Sequence, residues 1–366
     1  MEMATRIDVQ YVDQKHLDDF VQTVFVALGV PREDARIAAH VLVEADLTGR
    51  QTHGVSRLPL YASRLEKEVM NPRPNIRPEP GAFPIVTRIN GDNGLGPVVA
   101  WRAMEHSIAL AENHGMGVAA VHLSNHAGAM SAYCEEAADR GFILMALTNS
   151  PPGIPPWGGR KAFLGTNPIA FGIPRGESRP AIVVDLATSV VARGNIIQAA
   201  RLGEPIPDGW AIDEQGQATT DAARALKGAV LPMAGSKGYA LALVVEIFSG
   251  ILSGAAVGPQ VKNPYNDYSG APDVGHFFWA LNPAGFGPVD ALYEALLDLE
   301  RNIRQVPPIE GASIRLPGER SNATRRESLD RGIPLDTDLL HDLTGLADKL
   351  GVDHLDTSRH PGGTHV

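Results

Sequence analysis

Pro155-Pro-Trp-Gly-Gly-Arg-Lys-Ala-Phe-Leu-Gly-Thr-Asn-Pro-Ile-Ala-Phe-Gly-Ile-Pro174 decides how this chain is read. Proline fixes φ and removes an amide donor, whereas glycine permits positive φ and close backbone approach. With four of each, two bases and an Asn-Pro step, the stretch suits neither a helix nor a long regular strand. Trp157, Phe163, Leu164 and Phe171 supply apolar side chains that a disordered linker lacks. The composition predicts an ordered loop that feeds a short apolar strand, Ile169–Ile173. Long loops inside a domain are uncommon unless functional or disordered, so this one is expected to wall a site.

Strands alternate with helices on both sides of the loop. Upstream, strands are expected over Phe83–Asn90, Gly115–His122 and Phe142–Leu147, with helices over Val98–Asn113 and Ala129–Arg140. Downstream come a strand over Ala181–Leu186, a helix over Thr188–Leu202, a turn-rich insertion over 205–231 and an apolar helix from Tyr239 to Gly258. A strand over Gly275–Leu281 and a helix over Val289–Arg304 follow. This alternation predicts an α/β body over 76–301. Three helices precede it: Gln14–Leu28, capped by Asp13, then Arg32–Leu47 and Leu58–Glu68, with Asn71–Pro80 as a proline-rich linker. A loop and a last helix, Thr337–Leu350, follow it, and the N-terminal segment 1–75 is expected to pack with 302–350. Residues 351–366 read as a disordered tail.

The chain has 366 residues, 44% of them hydrophobic, which is enough for a substantial core. A net charge of −10 argues against nucleic acid or an anionic membrane as partner. The single cysteine, Cys134, excludes a disulfide framework and a cysteine-built zinc site. Glu246 sits in the middle of the apolar segment, where a carboxylate would be costly in a bilayer, so a buried helix is expected. The N-terminus shows no signal-peptide pattern, and the chain reads as cytoplasmic. The dinucleotide fingerprint G-x-G-x-x-G fails: Gly94-Leu-Gly96 runs into Pro97, Val98 and Val99.

Four polar clusters lie at the edges of apolar elements. His53 and Arg57 fall in a glycine-broken turn with Arg50. His122 and His126 are four apart, a metal-binding spacing on a helix, but no carboxylate accompanies them and Ser124 and Gly128 predict a strand-to-helix turn. A lone histidine there suits proton transfer. Thr148-Asn-Ser150 joins the opening loop, offering hydroxyls and amides together with Arg160, Lys161, Thr166 and Asn167. Gly235-Ser-Lys-Gly238 opens the apolar helix and suits an anion at a helix N-terminus, although it lacks the Walker spacing.

Thr52-His-Gly-Val-Ser-Arg57, Ser124-Asn-His-Ala-Gly128, Pro156-Trp-Gly-Gly159, Leu164-Gly-Thr-Asn-Pro-Ile-Ala-Phe171, Val184-Asp-Leu-Ala-Thr188 and Lys237-Gly-Tyr-Ala-Leu-Ala-Leu243 occur in this order. Together they resemble the malate/L-lactate dehydrogenase-2 family over roughly residues 15 to 350. The resemblance implies a non-Rossmann, mixed-sheet nucleotide-binding domain, a helical domain formed by both terminal segments, and a homodimer. It implies an NAD(P)-dependent oxidoreductase that interconverts a small anionic 2-hydroxy acid, malate- or lactate-like, and its 2-oxo acid. Under it, His126 is the proton acceptor in alcohol oxidation, His53 faces the substrate, and Arg57 holds the substrate carboxylate. Thr166 lies near the substrate, and Arg193 of Val191-Ala-Arg-Gly194 is assigned to the substrate as well. Ser150, Asp185, Leu186, Ala187, Lys237 and Gly128 are implied to contact cofactor, and no metal is required. NAD and NADP stay open, because Arg160, Lys161 and Arg193 suit a 2′-phosphate, a substrate carboxylate or neither.

Within the family the runner-up is an NADPH-dependent reductase of a cyclic imino acid, for which Gly49 and Asn195 depart from the expected serine and aspartate. From other classes, the rivals are a metal-dependent hydrolase using His122 and His126, and a non-catalytic ligand-binding relative.

Overall fold

In the computed structural model, which describes residues 9–176 and 179–357, strand β1 (Val9–Val12) runs into helix α1 (Gln14–Ala27). Asp13 caps that helix, accepting from the amides of Lys15 and His16 at 2.8 and 3.2 Å. Leu17, Phe20, Val21, Val24 and Phe25 form its buried stripe against α2 (Arg32–Leu47). Two short 3-10 turns, Gln51–His53 and Val55–Arg57, lead into α3 (Leu58–Glu66). The α/β body then runs β2 (Arg77–Pro80), β3 (Val86–Asn90), α4 (Gly96–His114), β4 (Met116–Ser124), α5 (Met130–Asp139), β5 (Ile143–Thr148), β6 (Ile169–Ile173) and β7 (Ile182–Leu186). After α6 (Arg193–Leu202) come β8 (Ala211–Ile212), β9 (Ala218–Thr219), α7 (Ala222–Lys227), β10 (Ala229–Val230) and α8 (Ser236–Glu246). The chain closes with β11 (Val274–Leu281), α9 (Val289–Gln305), α10 (Glu319–Arg331), β12 (Ile333–Asp336) and α11 (Thr337–Leu350).

Seven strands form one mixed sheet in the order β2-β3-β4-β11-β5-β6-β7. β3 and β4 run parallel, joined by the α4 crossover, and the other neighbouring pairs are antiparallel. A Rossmann sheet is mostly parallel; this one is not, in keeping with the absent glycine fingerprint. β11 enters the middle of the sheet late in the chain, and its run Val274–Phe278 is buried throughout, as a central strand requires. The antiparallel pairings bring the ends of β4, β5 and β7 and the starts of β6 and β11 to one edge of the sheet.

The structure departs from the sequence reading in several places, and the apolar helix expected over Tyr239–Gly258 is α8 only to Glu246, where a π-helical turn, Ile247–Ile251, follows. Part of the Asn71–Pro80 linker is strand β2, whose edge position tolerates Pro78 and Pro80. The helix expected from Thr188 begins only at Arg193, because the Thr188 amide donates to Thr166 O and the Val190 amide to Leu231 O, which hold the segment extended. Helix α10 falls where a loop is expected: it is polar throughout, Ser328 is its one buried residue, and it carries no apolar period to read. Instead Arg325 ties it to Glu44 and Glu135. The insertion over 205–231 has its own small sheet, β10-β8-β9, packed round Ile206, Ala222 and Val230.

The first and last strands of the described residues meet. β1 pairs antiparallel with β12, and Lys349 reaches Glu66 at 2.6 Å. Of the tail expected from 351, Val352 and Leu355 pack against the core, and residues 358–366 lie outside the described residues. Among the described residues, no helix is long and apolar enough to cross a membrane.

Buried Asp46 shapes the turn that carries His53. Its Oδ2 accepts from the Val55 amide at 2.7 Å, and a Cβ on Gly54 would lie 2.1 Å from Oδ1, so this close approach requires glycine. Burial pushes the Asp46 carboxyl up to about 8, against the Val55 amide that opposes it. Between the ordinary value of 3.8 and about 8, the folded state keeps a proton that the unfolded state has released. The stabilising contribution is therefore complete below the ordinary value and is lost as pH rises through about 8. Asp46→Asn keeps the acceptor for Val55 without the titration. Its thermal midpoints at mildly acidic and mildly alkaline pH are expected to lie closer together than those of the wild type; an unchanged spacing would contradict the assignment.

Candidate active site

A cavity of about 130 Å³ opens at the edge of the sheet where those strand ends meet. His53 reaches it from the turn after α2, His126 and Gly128 from the turn after β4, Ser150 from the end of β5, and Thr166 from the opening loop. Pro264 and Pro272 close it from the loop that precedes β11. Buried Arg64 holds that loop by donating to the carbonyls of Pro264, Asp267 and Gly270 at 3.0–3.3 Å.

The two histidines face each other, ring centroids 5.6 Å apart and planes 29° from parallel. Tyr61, one helical turn beyond Arg57, fixes His126. Its hydroxyl lies 3.0 Å from the His126 carbonyl and 2.7 Å from Nδ1. One hydroxyl hydrogen cannot serve both: given to the carbonyl, it leaves the phenol oxygen to accept from Nδ1–H and the Nε2 lone pair free; given to Nδ1, which the Gly128 amide also approaches at 3.4 Å, it puts the ring hydrogen on Nε2. Burial holds the His126 imidazole well below its ordinary value, helped by His53, Arg57 and His276. Burial, then Arg57, lowers His53 likewise. Burial also pushes the Tyr61 phenol up, so it stays protonated. The imidazole is therefore neutral, and in the first arrangement its acceptor nitrogen is Nε2, which suits a general base.

Arg57 donates through Nε to Thr52 O at 2.5 Å, and its guanidinium lies over the Tyr265 ring, 5.4 Å from the centroid. It bonds no carboxylate among the described residues. Its two Nη atoms thus offer the planar fork that binds carboxylates bidentately.

Behind the cavity, fully buried His276 of β11 spans its neighbours, Nδ1 2.8 Å from Thr148 Oγ1 and Nε2 2.8 Å from Ser124 Oγ. Burial lowers it to about 3, so it is neutral and joins the strand ends from which the His126 and Ser150 turns depart. The opposite wall is tied together. Ser150 Oγ accepts from the Thr166 amide at 3.1 Å, and Thr188 donates to Thr166 O through its amide and hydroxyl at 2.8 and 2.9 Å. The start of α8 packs on Thr188: Met233 N–H donates to Thr188 O at 2.9 Å, and a Cβ on Gly238 would lie 2.9 Å from that oxygen.

These contacts sort the expected site residues. His53, His126, Gly128, Ser150 and Thr166 come together at the cavity, with the charge of Arg57 acting on both imidazoles. Lys237 stands exposed in the first turn of α8, next to the Thr188 contact. The Asp185 carboxylate is engaged elsewhere, accepting from Ser131 N at the start of α5 at 3.0 Å and lying 3.6 Å from Arg50. After it, Ala187 is half-buried and Leu186 is 52% exposed. Arg193 does not line the cavity; its guanidinium donates to the carbonyls of Pro152 and Leu226 at 3.3 and 3.1 Å. His122 lies within β4 against Glu79 at 3.4 Å, so it does not share a helix face with His126. Among the described residues, no cluster of three metal-ligating side chains occurs. An exposed leucine and a lysine-bearing helix N-terminus, tied to the cavity wall through Thr188, fit a ligand with an aromatic ring and phosphates, as a nicotinamide dinucleotide has.

Tyr61, His276 and Glu246 are missing from the sequence reading of the site. Only Tyr61 carried a usable signal, its helical spacing from Arg57.

A mixed, non-Rossmann sheet with two facing, neutral histidines at one edge, near an arginine that bonds no carboxylate, suits proton transfer on a small anion. The chain belongs to the malate/L-lactate dehydrogenase family, whose profile matches residues 12–344. It is similar to the L-sulfolactate dehydrogenase of Methanocaldococcus jannaschii, 38% identical over 330 residues, covering 90% of this chain and 94% of that one. It is also 38% identical to the (2R)-3-sulfolactate dehydrogenase (NADP(+)) of Chromohalobacter salexigens over 307 residues, 82% of this chain and 87% of that one. The solved malate dehydrogenase of Pyrococcus horikoshii superposes with a TM-score of 0.87 at 35% identity, covering 97% of this chain and all of the other.

Proposed function

We propose that the protein is an NAD(P)-dependent oxidoreductase that interconverts a small 2-hydroxy acid, with malate- and sulfolactate-like compounds first, and its 2-oxo acid. The observation that carries this reading is the neutral His126 imidazole, held by Tyr61 at its Nδ1 edge, in a cavity under the field of Arg57. The bound nicotinamide supplies the hydride acceptor or donor. His126 takes the hydroxyl proton at Nε2 during oxidation and returns it during reduction, while Tyr61 keeps the Nδ1 hydrogen in both states. Arg57 binds the carboxylate, and His53 crowds the reacting carbon from the other side. Thr166 faces the substrate, and Ser150, Gly128 and the exposed face from Leu186 to Lys237 bear on the cofactor.

Relatives with related names include one designated for NADP(+), and the exposed bases Arg160, Lys161 and Lys237 suit either dinucleotide. A homodimer is supported by the apolar surface of α8 and the turn after it, where Leu241, Val244, Ile251 and Leu252 are exposed together. A cytoplasmic setting agrees with the acidic composition and the single buried cysteine.

Assays with NADH and NADPH against a panel of 2-oxo acids and cyclic imines test the reading; turnover of imines alone would overturn it. The pH profile gives a second check. Because His126 must be unprotonated to accept the proton and lies below its ordinary value of 6.5, kcat/KM for oxidation is expected to be flat across neutral and alkaline pH and to fall only on the acid side. A profile that rises through the alkaline range would remove His126 from the role.

A further inference from the structure

Glu246 is the last residue of α8, 4% exposed, in a helix otherwise almost wholly apolar. Its carboxylate pairs with no cation among the described residues and is satisfied by three donors instead. Oε1 accepts from the Gly258 amide at 2.6 Å and from Asn149 Nδ2 at 3.3 Å; Oε2 accepts from Asn167 Nδ2 at 2.6 Å. Each asparagine stands beside a residue of the cavity wall. Asn149 precedes Ser150; its Nδ2 also donates to Ala256 O at 2.8 Å and its Oδ1 accepts from Gly275 N at 2.9 Å, which ties it to the start of β11. Asn167 follows Thr166, is fully buried at φ +32°, and accepts from the Ser150 amide at 3.2 Å. The two segments therefore share one carboxylate, and a five-residue π-helical turn, Ile247–Ile251, follows it directly; such turns are frequent at functional sites.

We propose that Glu246 is a positioning residue: through Asn149 and Asn167 it sets the spacing of Ser150 and Thr166, and so the width of the cavity wall that these two residues form. Its catalytic consequence rests on the dehydrogenase reading; its structural consequence does not. Glutamine at 246 has the same shape but one acceptor fewer. Whichever way its amide turns, an NH2 group meets a donor: either Asn167 Nδ2, which then keeps only its bond to the Ala242 carbonyl at 3.0 Å, or the Gly258 amide, which loses its acceptor.

The test is hydrogen exchange read by mass spectrometry on wild-type protein and Glu246→Gln, together with steady-state kinetics well below the unfolding temperature. Faster exchange is expected in peptides covering 148–151 and 164–168, with the peptides of β4 and α4 unchanged. The fall in kcat/KM expected from a displaced wall is roughly 10- to 100-fold. Unchanged exchange in both segments, or an equal rise across the whole core, would overturn the proposal. If the glutamine variant does not fold, Glu246→Asp, which keeps the charge but shortens the reach, is expected to give the same local pattern; failure of both to fold would make Glu246 a folding residue and also overturn it. A wild-type protein inactive on every 2-oxo acid would remove the dehydrogenase reading, while the exchange pattern would still decide the positioning role.

Discussion

His126→Asn is expected to lower kcat for hydroxy-acid oxidation by roughly 10²- to 10⁴-fold, the usual contribution of a positioned general base. The reason lies in the geometry: the Nδ1 edge of the ring is held by Tyr61, and the ring lines the cavity stacked against His53. Asparagine is close in shape but cannot take a proton at neutral pH. Cofactor binding, measured by calorimetric or tryptophan-fluorescence titration, is expected to stay near wild type. A variant that retains most of its turnover would move the proton acceptor to His53, the other imidazole in the stacked pair.

Arg57→Met is expected to raise KM for the acid substrate by roughly 10- to 100-fold, the range for losing a charge-assisted hydrogen-bonded contact. Arg57→Lys should recover only part of this, because an ammonium cannot reproduce the fork. A further effect comes from the field. Arg57 helps to hold both histidines below their ordinary value, so its removal should shift the acid limb of the pH profile upward. A raised KM with an unmoved limb would mean that the guanidinium binds substrate without acting on the imidazoles; an unchanged KM would remove Arg57 from carboxylate binding.

The periodic and punctuated parts of the fold were open to reading from the sequence. Asp13 and the stripe from Leu17 to Phe25 declare α1, and the strand Ile169–Ile173 lies where the apolar run after Asn-Pro puts it. What escaped is what has no local pattern. Helix α10 is polar all round and is held by ion pairs to residues far away in the chain, and β1 and β12 exist because they pair with each other across more than three hundred residues. The site divides in the same way. His53, Arg57, His126 and Thr166 sit in glycine- and proline-marked turns, where composition marks a shaped loop. His276, by contrast, is one polar residue in an apolar strand, and its role depends on Ser124 and Thr148 arriving from neighbouring strands. Arg193 shows the opposite failure: its motif suggested a substrate contact, and the fold directs its guanidinium to two backbone carbonyls. Only the folded chain sets those partners.

The most direct measurement is the fate of an isotopic label. With reduced nicotinamide cofactor carrying deuterium at the transferable position, and malate- or sulfolactate-like 2-oxo acids as substrates, the 2-hydroxy acid product is expected to carry deuterium on C2 in one stereoisomer. A product without label at C2, or no hydroxy acid from any 2-oxo acid, would contradict hydride transfer at this cavity.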